Sequence, residues 1–296
     1  MIPSTPAGSP DPAPCWSGHG GIVQVVDLHA GEHFWEVSRG VSVHGYGFNW
    51  QVPGPVIEAS VGDRLLIQFS NGMDQPSALV WESPSVAVTP LSTSTLHWVV
   101  PGGRHRYEFT LTRPGAFLYR ATSPPHTPSM LDGLYGVLLV TGPGEPHVDE
   151  ERIFVVHHAQ LTAAHRDKTQ HGAPLTQHGA PLMGWPGPSV LLIDGVRHAS
   201  IDMRAGSRER WRILNAATDV QLRLSMPSRP ARIDAGRDCR RRTSDLPVPP
   251  TTTLSAAGMD VQIGPFARGE QVSLDAVLVA DGPLWQHLQL LTCRVI

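Results

Sequence analysis

The sequence predicts an all-β protein built from two tandem Greek-key β-sandwich domains. Its 296 residues include 29 glycines and 28 prolines, a composition that favours turns over long helices. Short apolar or alternating segments bounded by Gly, Pro or Asn recur along the chain, and no long amphipathic helix competes with them. A stretch rich in Gly, Pro and acidic residues at 141–151 divides these segments into two sets. Two sandwiches of ordinary domain size follow from that spacing.

The first set contains six predicted strands. Each has the length of a typical strand and is bounded by residues that favour turns. In chain order they are IVQVVDL (22–28), HFWEVS (33–38), PVIEAS (55–60), RLLIQFS (64–70), HRYEFTL (105–111) and YGVLLVTG (135–142).

The second set also contains six predicted strands. In chain order they are RIFVVHHAQL (152–161), SVLLIDG (189–195), RERWRILNAA (208–217), VQLRLSM (220–226), QVSLDAVLVA (271–280) and HLQLLTCRVI (287–296). We therefore predict a first domain at residues 19–145 and a second domain at residues 146–296. Residues 1–18 are rich in Pro, Ser, Gly and Ala, and such a segment buries too little apolar surface to fold, so we predict a disordered arm there.

Charge and cysteine content exclude several classes of function. A net charge of -3 and a pI of about 6.6 give no general electrostatic reason to bind nucleic acid or an anionic membrane. No apolar run approaches the ~20 residues of a membrane span, and the N-terminal sequence has no secretory-signal pattern. The three cysteines, Cys15, Cys239 and Cys293, share no metal-binding spacing, and so sparse a content is typical of a reducing compartment. We expect a cytoplasmic protein with no nucleic-acid or membrane partner.

One segment is a tandem duplication. TQHGAPLTQHGAPL (169–182) repeats seven residues twice. Two copies are too few for a repeat fold, and the Gly and Pro in each copy exclude a helix that would bring the two histidines together. We interpret the segment as a lengthened surface loop, which costs little loop-closure entropy, and its role stays open.

Five motifs carry a family resemblance. FNWQVPGPVIEASVGDRLLIQFSN (48–71) follows the pattern NGQVPGPxIxxxxGDxxxxxxxN, and PGGRHRYEFTLTRPGAFLYR (101–120) follows a pattern ending in GTFWYH. LDGLYGVLLVTGP (131–143) follows GLYGxLIV, IDGVRHASIDMRAGSRERWRILNAA (193–217) follows a pattern that opens with ING and ends with NAA, and IGPFARGEQVSLDAVL (263–278) follows xxPGERxDVLV. These patterns resemble those of multicopper oxidases and copper nitrite reductases. The resemblance implies two cupredoxin-like domains and, in ordinary family members, a copper-dependent oxidoreductase.

The chain departs from this family at the motifs that supply copper ligands. An HWHG strand supplies two imidazoles in family members, and the matching strand SALVWESP (77–84) has Val80 and Glu82 at those places. A YHSH or YHCH run supplies further ligands, and this chain has Tyr119-Arg120-Ala121-Thr122 there. Imidazole and thiolate are the ligands that copper prefers, and the resemblance therefore implies the loss of those ligands.

A blue-copper loop of the form C-x4-H-x3-M is altered in the same way. Its first position is Ala121, while His126 and Met130 keep the second and third positions. With Glu82 in place of a histidine, we expect four vestigial type 1 positions, at Glu82, Ala121, His126 and Met130, and no strong Cu(II)–thiolate bond.

These departures favour a copper-free relative of the multicopper oxidases that acts as a binding or assembly protein, with no expected cofactor. Its partner is an unidentified small molecule or protein, and whether the chain is an enzyme stays open. Glu82 and Arg120 lie on strands that adjoin in this fold, so they are expected to form an ion pair in the emptied site. The alternative is a polar ligand pocket with general acid–base groups. The candidate pocket residues are Trp81, Glu82, Tyr119, Arg120, Thr122, His126 and Met130.

Two further functions stay open. The first is an oxidoreductase whose copper is held between subunits of a homo-oligomer or supplied by a partner, with His97, His105 and His287 as the imidazoles to inspect. The second is a non-redox enzyme that uses the emptied copper cleft on a small aromatic metabolite. The residues do not identify that metabolite.

Overall fold

The computed structural model contains strands and turns only. It describes residues 21–39, 41–81, 86–88, 96–123, 133–142, 147–160, 189–216, 221–225, 232–234, 252–254, 259–263, 268, 271–279 and 286–296. These ranges hold 19 strands and no helix, so the prediction of an all-β protein is confirmed. Accordingly, no helix in the described part of the chain is long and apolar enough to cross a membrane. The predicted arm at 1–18 and the duplication at 169–182 lie outside the described residues.

The strands have the following bounds. They are β1 (Val23–Ser38), β2 (Val41–Phe48), β3 (Ile57–Ser60), β4 (Arg64–Asn71), β5 (Ala78–Trp81), β6 (Val86–Val88), β7 (Arg104–Leu111), β8 (Gly115–Thr122), β9 (Tyr135–Thr141), β10 (Glu150–Gln160), β11 (Ser189–Ile193), β12 (Ala199–Met203), β13 (Glu209–Asn215), β14 (Gln221–Ser225), β15 (Arg232–Asp234), β16 (Thr252–Leu254), β17 (Met259–Ile263), β18 (Gln271–Val279) and β19 (Gln286–Val295).

Strands β1 to β9 form the first sandwich. One sheet has the order β2-β1-β4-β7-β6, and the other has the order β3-β9-β8-β5. Alternation places one set of side chains inside: Leu65, Ile67 and Phe69 of β4 are fully buried, whereas Arg64 and Gln68 are exposed. The inward side chains of the two sheets form one continuous apolar core.

Strands β10 to β19 repeat this topology with one additional strand, β16, at the edge of the second sheet. Their sheets have the orders β11-β10-β13-β17-β15 and β12-β19-β18-β14-β16. In each half, the first strand pairs in parallel with the fourth, β1 with β4 and β10 with β13. The repeated order identifies two copies of one Greek-key arrangement in tandem.

Strand β1 is longer than expected, because it joins the two segments predicted at 22–28 and 33–38. The chain stays extended through Ala30, which pairs with Asn71 of β4 on one side and with Phe48 of β2 on the other. Beyond Ala30, β1 and β2 continue as a two-stranded arm. We call residues 31–48 the β1–β2 arm.

Apolar contacts join the two sandwiches. The β1–β2 arm buries Trp35, Val37 and Val43 against Leu192 of β11. The backbone N–H of Arg197 also donates to the Val37 carbonyl oxygen at 2.7 Å. A main-chain hydrogen bond and a shared apolar cluster therefore tie the arm to the second sandwich.

A tight turn follows β11 at the same junction. Asp194 and Gly195 both have positive φ angles, 51° and 79°, and Gly195 approaches the Val52 carbonyl so closely that a Cβ there would lie 2.4 Å from the oxygen. The Asp194 carboxylate accepts a hydrogen bond from the Val155 N–H at 2.7 Å. Burial raises the pKa of Asp194 to about 6, and the Val155 hydrogen bond opposes that shift.

The second sandwich also contains an ion pair between a buried carboxylate and a half-buried arginine. Glu209 is fully buried, and its Oε2 accepts from Arg152 Nε at 2.8 Å and from Trp211 Nε1 at 2.9 Å. Burial raises the pKa of the neighbouring Cys293 thiol to about 12, and the Glu209 carboxylate adds to that shift. The buried carboxylate thus depends on Arg152 and Trp211 for its charge balance and hydrogen bonds.

Candidate functional site

The two stretches with altered copper motifs lie side by side. Strands β5 and β8 pair antiparallel, with Val80 opposite Arg120 and Trp81 opposite Tyr119. Directly opposed residues on neighbouring strands project from the same face of the sheet. The site therefore has two faces, which carry different side chains.

The inner face of β5 and β8 belongs to the core of the first sandwich. Trp81, Tyr119 and Ala121 all pack there, with Tyr119 fully buried and Ala121 3% exposed. The Trp81 ring contacts Phe109 at a centroid distance of 4.9 Å and Tyr119 at 5.5 Å. Of the predicted pocket residues, Tyr119 thus lies inside the core and the half-buried Trp81 packs against it, and the vestigial position Ala121 also lies in the core.

A hydrogen bond and close packing hold Tyr119 in the core. Its hydroxyl donates to the Pro55 carbonyl oxygen at 2.6 Å, and its ring fills the space beside Gly136, where a Cβ would lie 2.3 Å from the Tyr119 ring. Burial raises the pKa of the Tyr119 hydroxyl far above its ordinary value, so the group stays protonated at any physiological pH.

The outer face of the same strands points toward the second sandwich. Arg120 lies opposite Tyr135 of β9, and both face the side where Leu118 packs against Val155 and Leu214. The Tyr135 ring stacks on His157 of β10 at a centroid distance of 4.7 Å. Arg120 therefore lies beside an aromatic pair at the junction of the two sandwiches.

Several predicted residues lie outside the described residues. They are Glu82, His126 and Met130, together with the side chain of His287. The expected Glu82–Arg120 ion pair and the geometry of the loop at 124–132 remain predictions. Thr122 is described and half-buried at the end of β8, opposite Ala78.

His97 and His105 are in direct contact. Their rings stack at a centroid distance of 3.7 Å with an interplanar angle of 22°. Burial lowers the pKa of His105, and the neighbouring His97 lowers it further. Because imidazole lone pairs lie in the ring plane, two nearly parallel rings do not direct their nitrogens at one ion. Within the described ranges, no group of three or more His, Cys, Asp or Glu residues could hold a metal ion.

A polar cleft on the first sandwich was not predicted from the sequence. It has a volume of about 600 Å³ and lies on the outer face of β1, β4 and β7. The turn after β2 forms its edge, where Trp50 stacks on His29 at a centroid distance of 5.0 Å. His29 Nδ1 lies 3.0 Å from Ser70 Oγ. The cleft therefore combines an aromatic surface with polar side chains.

The turn at the edge of this cleft has an unusual conformation. Asn49 and Trp50 have φ angles of 51° and 56°, in the left-handed region. That region costs a residue other than Gly about 1–2 kcal/mol, and a bulky side chain is rare there. The family pattern NGQVPGP has glycine at the position of Trp50. This substitution is the sequence signal that could have revealed the cleft.

Comparison with known proteins agrees with the motifs. A family model described as multicopper oxidase matches residues 30–145. Laccase-2 of Cryptococcus neoformans var. grubii is 32% identical over 121 residues, which is 38% of this chain and 20% of that protein. Multicopper oxidase MmcO of Mycobacterium tuberculosis is 27% identical over 202 residues, which is 59% of this chain and 39% of that protein. The chain thus matches between a fifth and two fifths of the length of these relatives.

The fold extends the similarity beyond the matched segment. A solved multi-copper oxidase from Pseudomonas thermotolerans has a TM-score of 0.68 and 22% identity, and the match covers 94% of this chain and 64% of that one. At that identity the comparison shows the fold alone. Residues 30–145 therefore match the multicopper oxidase domain model, and the described part of the chain shares the cupredoxin fold of the solved multicopper oxidases.

Proposed function

We propose that this protein is a multicopper-oxidase-like binding or assembly protein that holds no copper at the family's ligand positions. The observation that carries the proposal is the pairing of Val80 with Arg120. Both stand where the family motifs have imidazoles, and they are cross-strand neighbours on the face toward the second sandwich.

The side chains at these positions do not fit a copper ion. Copper takes imidazole nitrogen and thiolate or thioether sulfur, whereas Val80 offers a branched alkyl group and Arg120 a guanidinium with no acceptor atom. The guanidinium also carries a positive charge that opposes a neighbouring Cu(II) ion. Ala121 has no donor atom and faces the core. No oxidation step through copper is therefore assigned to this site.

The junction instead offers groups suited to holding the two sandwiches together. Tyr135 and His157 stack across it, and Leu118, Val155 and Leu214 surround them with apolar surface. Arg120 adds a cation at the edge of this cluster. This packing supports a structural role, rather than a metal-binding one, for the residues at the junction.

A second candidate is an oxidoreductase with copper held between subunits. The observation in its favour is the contact of His97 with His105, which places two imidazoles in one patch of the first sandwich. One ring would need to turn before both could bind a single ion, since the rings are nearly parallel. The same experiment distinguishes this candidate from the first.

The test is copper content after loading. The full chain would be incubated with Cu(II), desalted, and measured by inductively coupled plasma mass spectrometry, absorption spectroscopy and a phenol oxidation assay. We expect substoichiometric copper, no thiolate-to-copper band and no oxidation. One or more tightly held copper ions per chain with phenol oxidation would overturn the proposal. Loss of that copper in His97→Ala with His105→Ala would assign it to the second candidate.

A further inference from the structure

Trp50 has an unfavourable left-handed backbone conformation, and burial of its side chain does not compensate for that conformational cost. The side chain is 65% exposed, so most of the indole remains in water despite the left-handed backbone. A bulky residue in such a conformation persists when surrounding contacts impose it, and such strain concentrates at binding and catalytic sites. Trp50 is therefore a candidate for a ligand contact.

The turn that carries Trp50 is firmly held. The Asn49 side chain accepts from the His29 N–H at 2.7 Å and donates to the Asp27 carbonyl oxygen at 2.9 Å. The Asn49 N–H donates to the His29 carbonyl oxygen at 2.8 Å. His29 stacks on the indole, and most of Trp50 remains exposed. The result is a preorganised aromatic platform at the edge of the cleft.

The cleft beside this platform is lined by charged residues of both signs. Its charged lining residues are Asp27, Arg104 and Arg106. Arg106 is paired with Glu108 at 3.0 Å, and Glu108 also pairs with Arg64. Arg104 has no ion pair with any residue that the structure describes. A guanidinium that lines the same cleft as an exposed indole suits a planar aromatic anion, because guanidinium binds carboxylates in a bidentate manner.

We propose that this cleft binds a small aromatic carboxylate, with the ring on Trp50 and the carboxylate on Arg104. A cleft of about 600 Å³ lies in the size range of small-molecule sites. Gln68 and His29 supply further polar groups for ring substituents. The site lies on the outer face of the first sandwich and is independent of copper binding at the junction.

The test is calorimetric titration of the full chain with 2-naphthoate. The neutral 2-naphthamide tests the need for the carboxylate, and cyclohexanecarboxylate tests the need for the aromatic ring. We expect saturable binding of 2-naphthoate and at least about tenfold weaker binding of either analogue. Equal affinity for the acid and the amide, or no saturable binding of 2-naphthoate, would overturn the proposal.

Two variants separate a binding role of Trp50 from a structural one. Trp50→Gly restores a residue suited to the left-handed backbone, so we expect an unchanged or higher melting temperature but at least about tenfold weaker 2-naphthoate binding. Arg104→Gln should lose the same affinity. The control, Arg204→Gln, removes an exposed charge from the second sandwich and should bind as the unmodified chain does. Full affinity in Trp50→Gly or in Arg104→Gln contradicts the assignment.

Discussion

Val80 and Arg120 lie directly opposite each other on the antiparallel strands β5 and β8, and both are half-buried. Cross-strand partners of this kind have Cβ atoms about 4.5–5.5 Å apart. The backbone thus still presents two side chains at a separation that suits a shared ion. The identity of those side chains, rather than the strand geometry, argues against copper at this place.

The first prediction restores imidazoles at this pair. Val80→His with Arg120→His should bind Cu(II) at least about tenfold more tightly than either single variant, because the second imidazole binds intramolecularly. Calorimetric titration with Cu(II) measures the difference, and the two single variants are the matched controls. A double variant that folds but binds no more tightly than the single ones would show that the strands have moved apart.

The second prediction concerns the pH dependence of Asp194. Its folded-state pKa of about 6 lies above the ordinary aspartate value of 3.8, so folding favours the protonated form. This carboxyl therefore reduces stability as pH rises from about 4 through about 6, by up to about 3 kcal/mol. Asp194→Asn keeps the acceptor for Val155 and favours the same turn, so it should stabilise the protein above pH ~6 and have little effect below pH ~4.

Urea unfolding of Asp194→Asn and the unmodified chain across this pH range checks that sign. A stability gain of equal size at both ends of the range would mean that burial does not raise the carboxyl's pKa. If Asp194→Asn were less stable than the unmodified chain at high pH, folding would favour the charged form of Asp194.

The third prediction concerns the buried pair of Arg152 and Glu209. Arg152→Met leaves a fully buried carboxylate without its cation and should lower the free energy of unfolding by roughly 3–5 kcal/mol. Arg152→Met with Glu209→Gln should cost less, since the amide oxygen can still accept from Trp211. The control is Arg294→Met, which breaks the exposed pair with Asp202 and should cost less than about 1 kcal/mol. Chemical unfolding measures all three, and a double variant less stable than Arg152→Met would refute the argument.

The fourth prediction concerns the Tyr119 hydroxyl. Tyr119→Phe removes the donor to the Pro55 carbonyl and should destabilise the protein by about 1–2 kcal/mol. Tyr46→Phe is the control, because its half-buried hydroxyl has no hydrogen bond to the described residues. We expect a loss below about 0.5 kcal/mol there. Equal melting temperatures for Tyr119→Phe and the unmodified chain would show that water replaces the bond.

Much of the fold could be predicted from sequence because strand patterns are local. In β4, Leu65, Ile67 and Phe69 recur at every second position and the structure buries all three, while Leu66 between the first two is only half-buried. Strand β2 (VSVHGYGF) was not predicted, because glycines and a histidine interrupt its pattern. The continuity of β1 through Gly31 depends on two partner strands, and pairing of that kind is a tertiary property.

The candidate site was predictable only in part, for a similar reason. Alternation along β8 separates Tyr119 and Ala121 from Arg120, so the opposite faces could be inferred. That Arg120 lies beside Tyr135 and faces the second sandwich required the sheet order. The cleft at Trp50 could not be predicted without the tertiary fold, since His29 is 21 residues away in the chain and only the fold brings it against the indole.

The β1–β2 arm has a consequence for how this tandem architecture can change. Its apolar residues Trp35, Val37 and Val43 belong to strands of the first sandwich, but they pack against Leu192 of the second. If the first sandwich were produced without the second, the apolar side chains of the β1–β2 arm would be exposed, and such surfaces promote aggregation. The two copies are therefore not interchangeable modules: a replacement second sandwich must supply a matching surface for the arm, and both halves are expected to unfold in one transition.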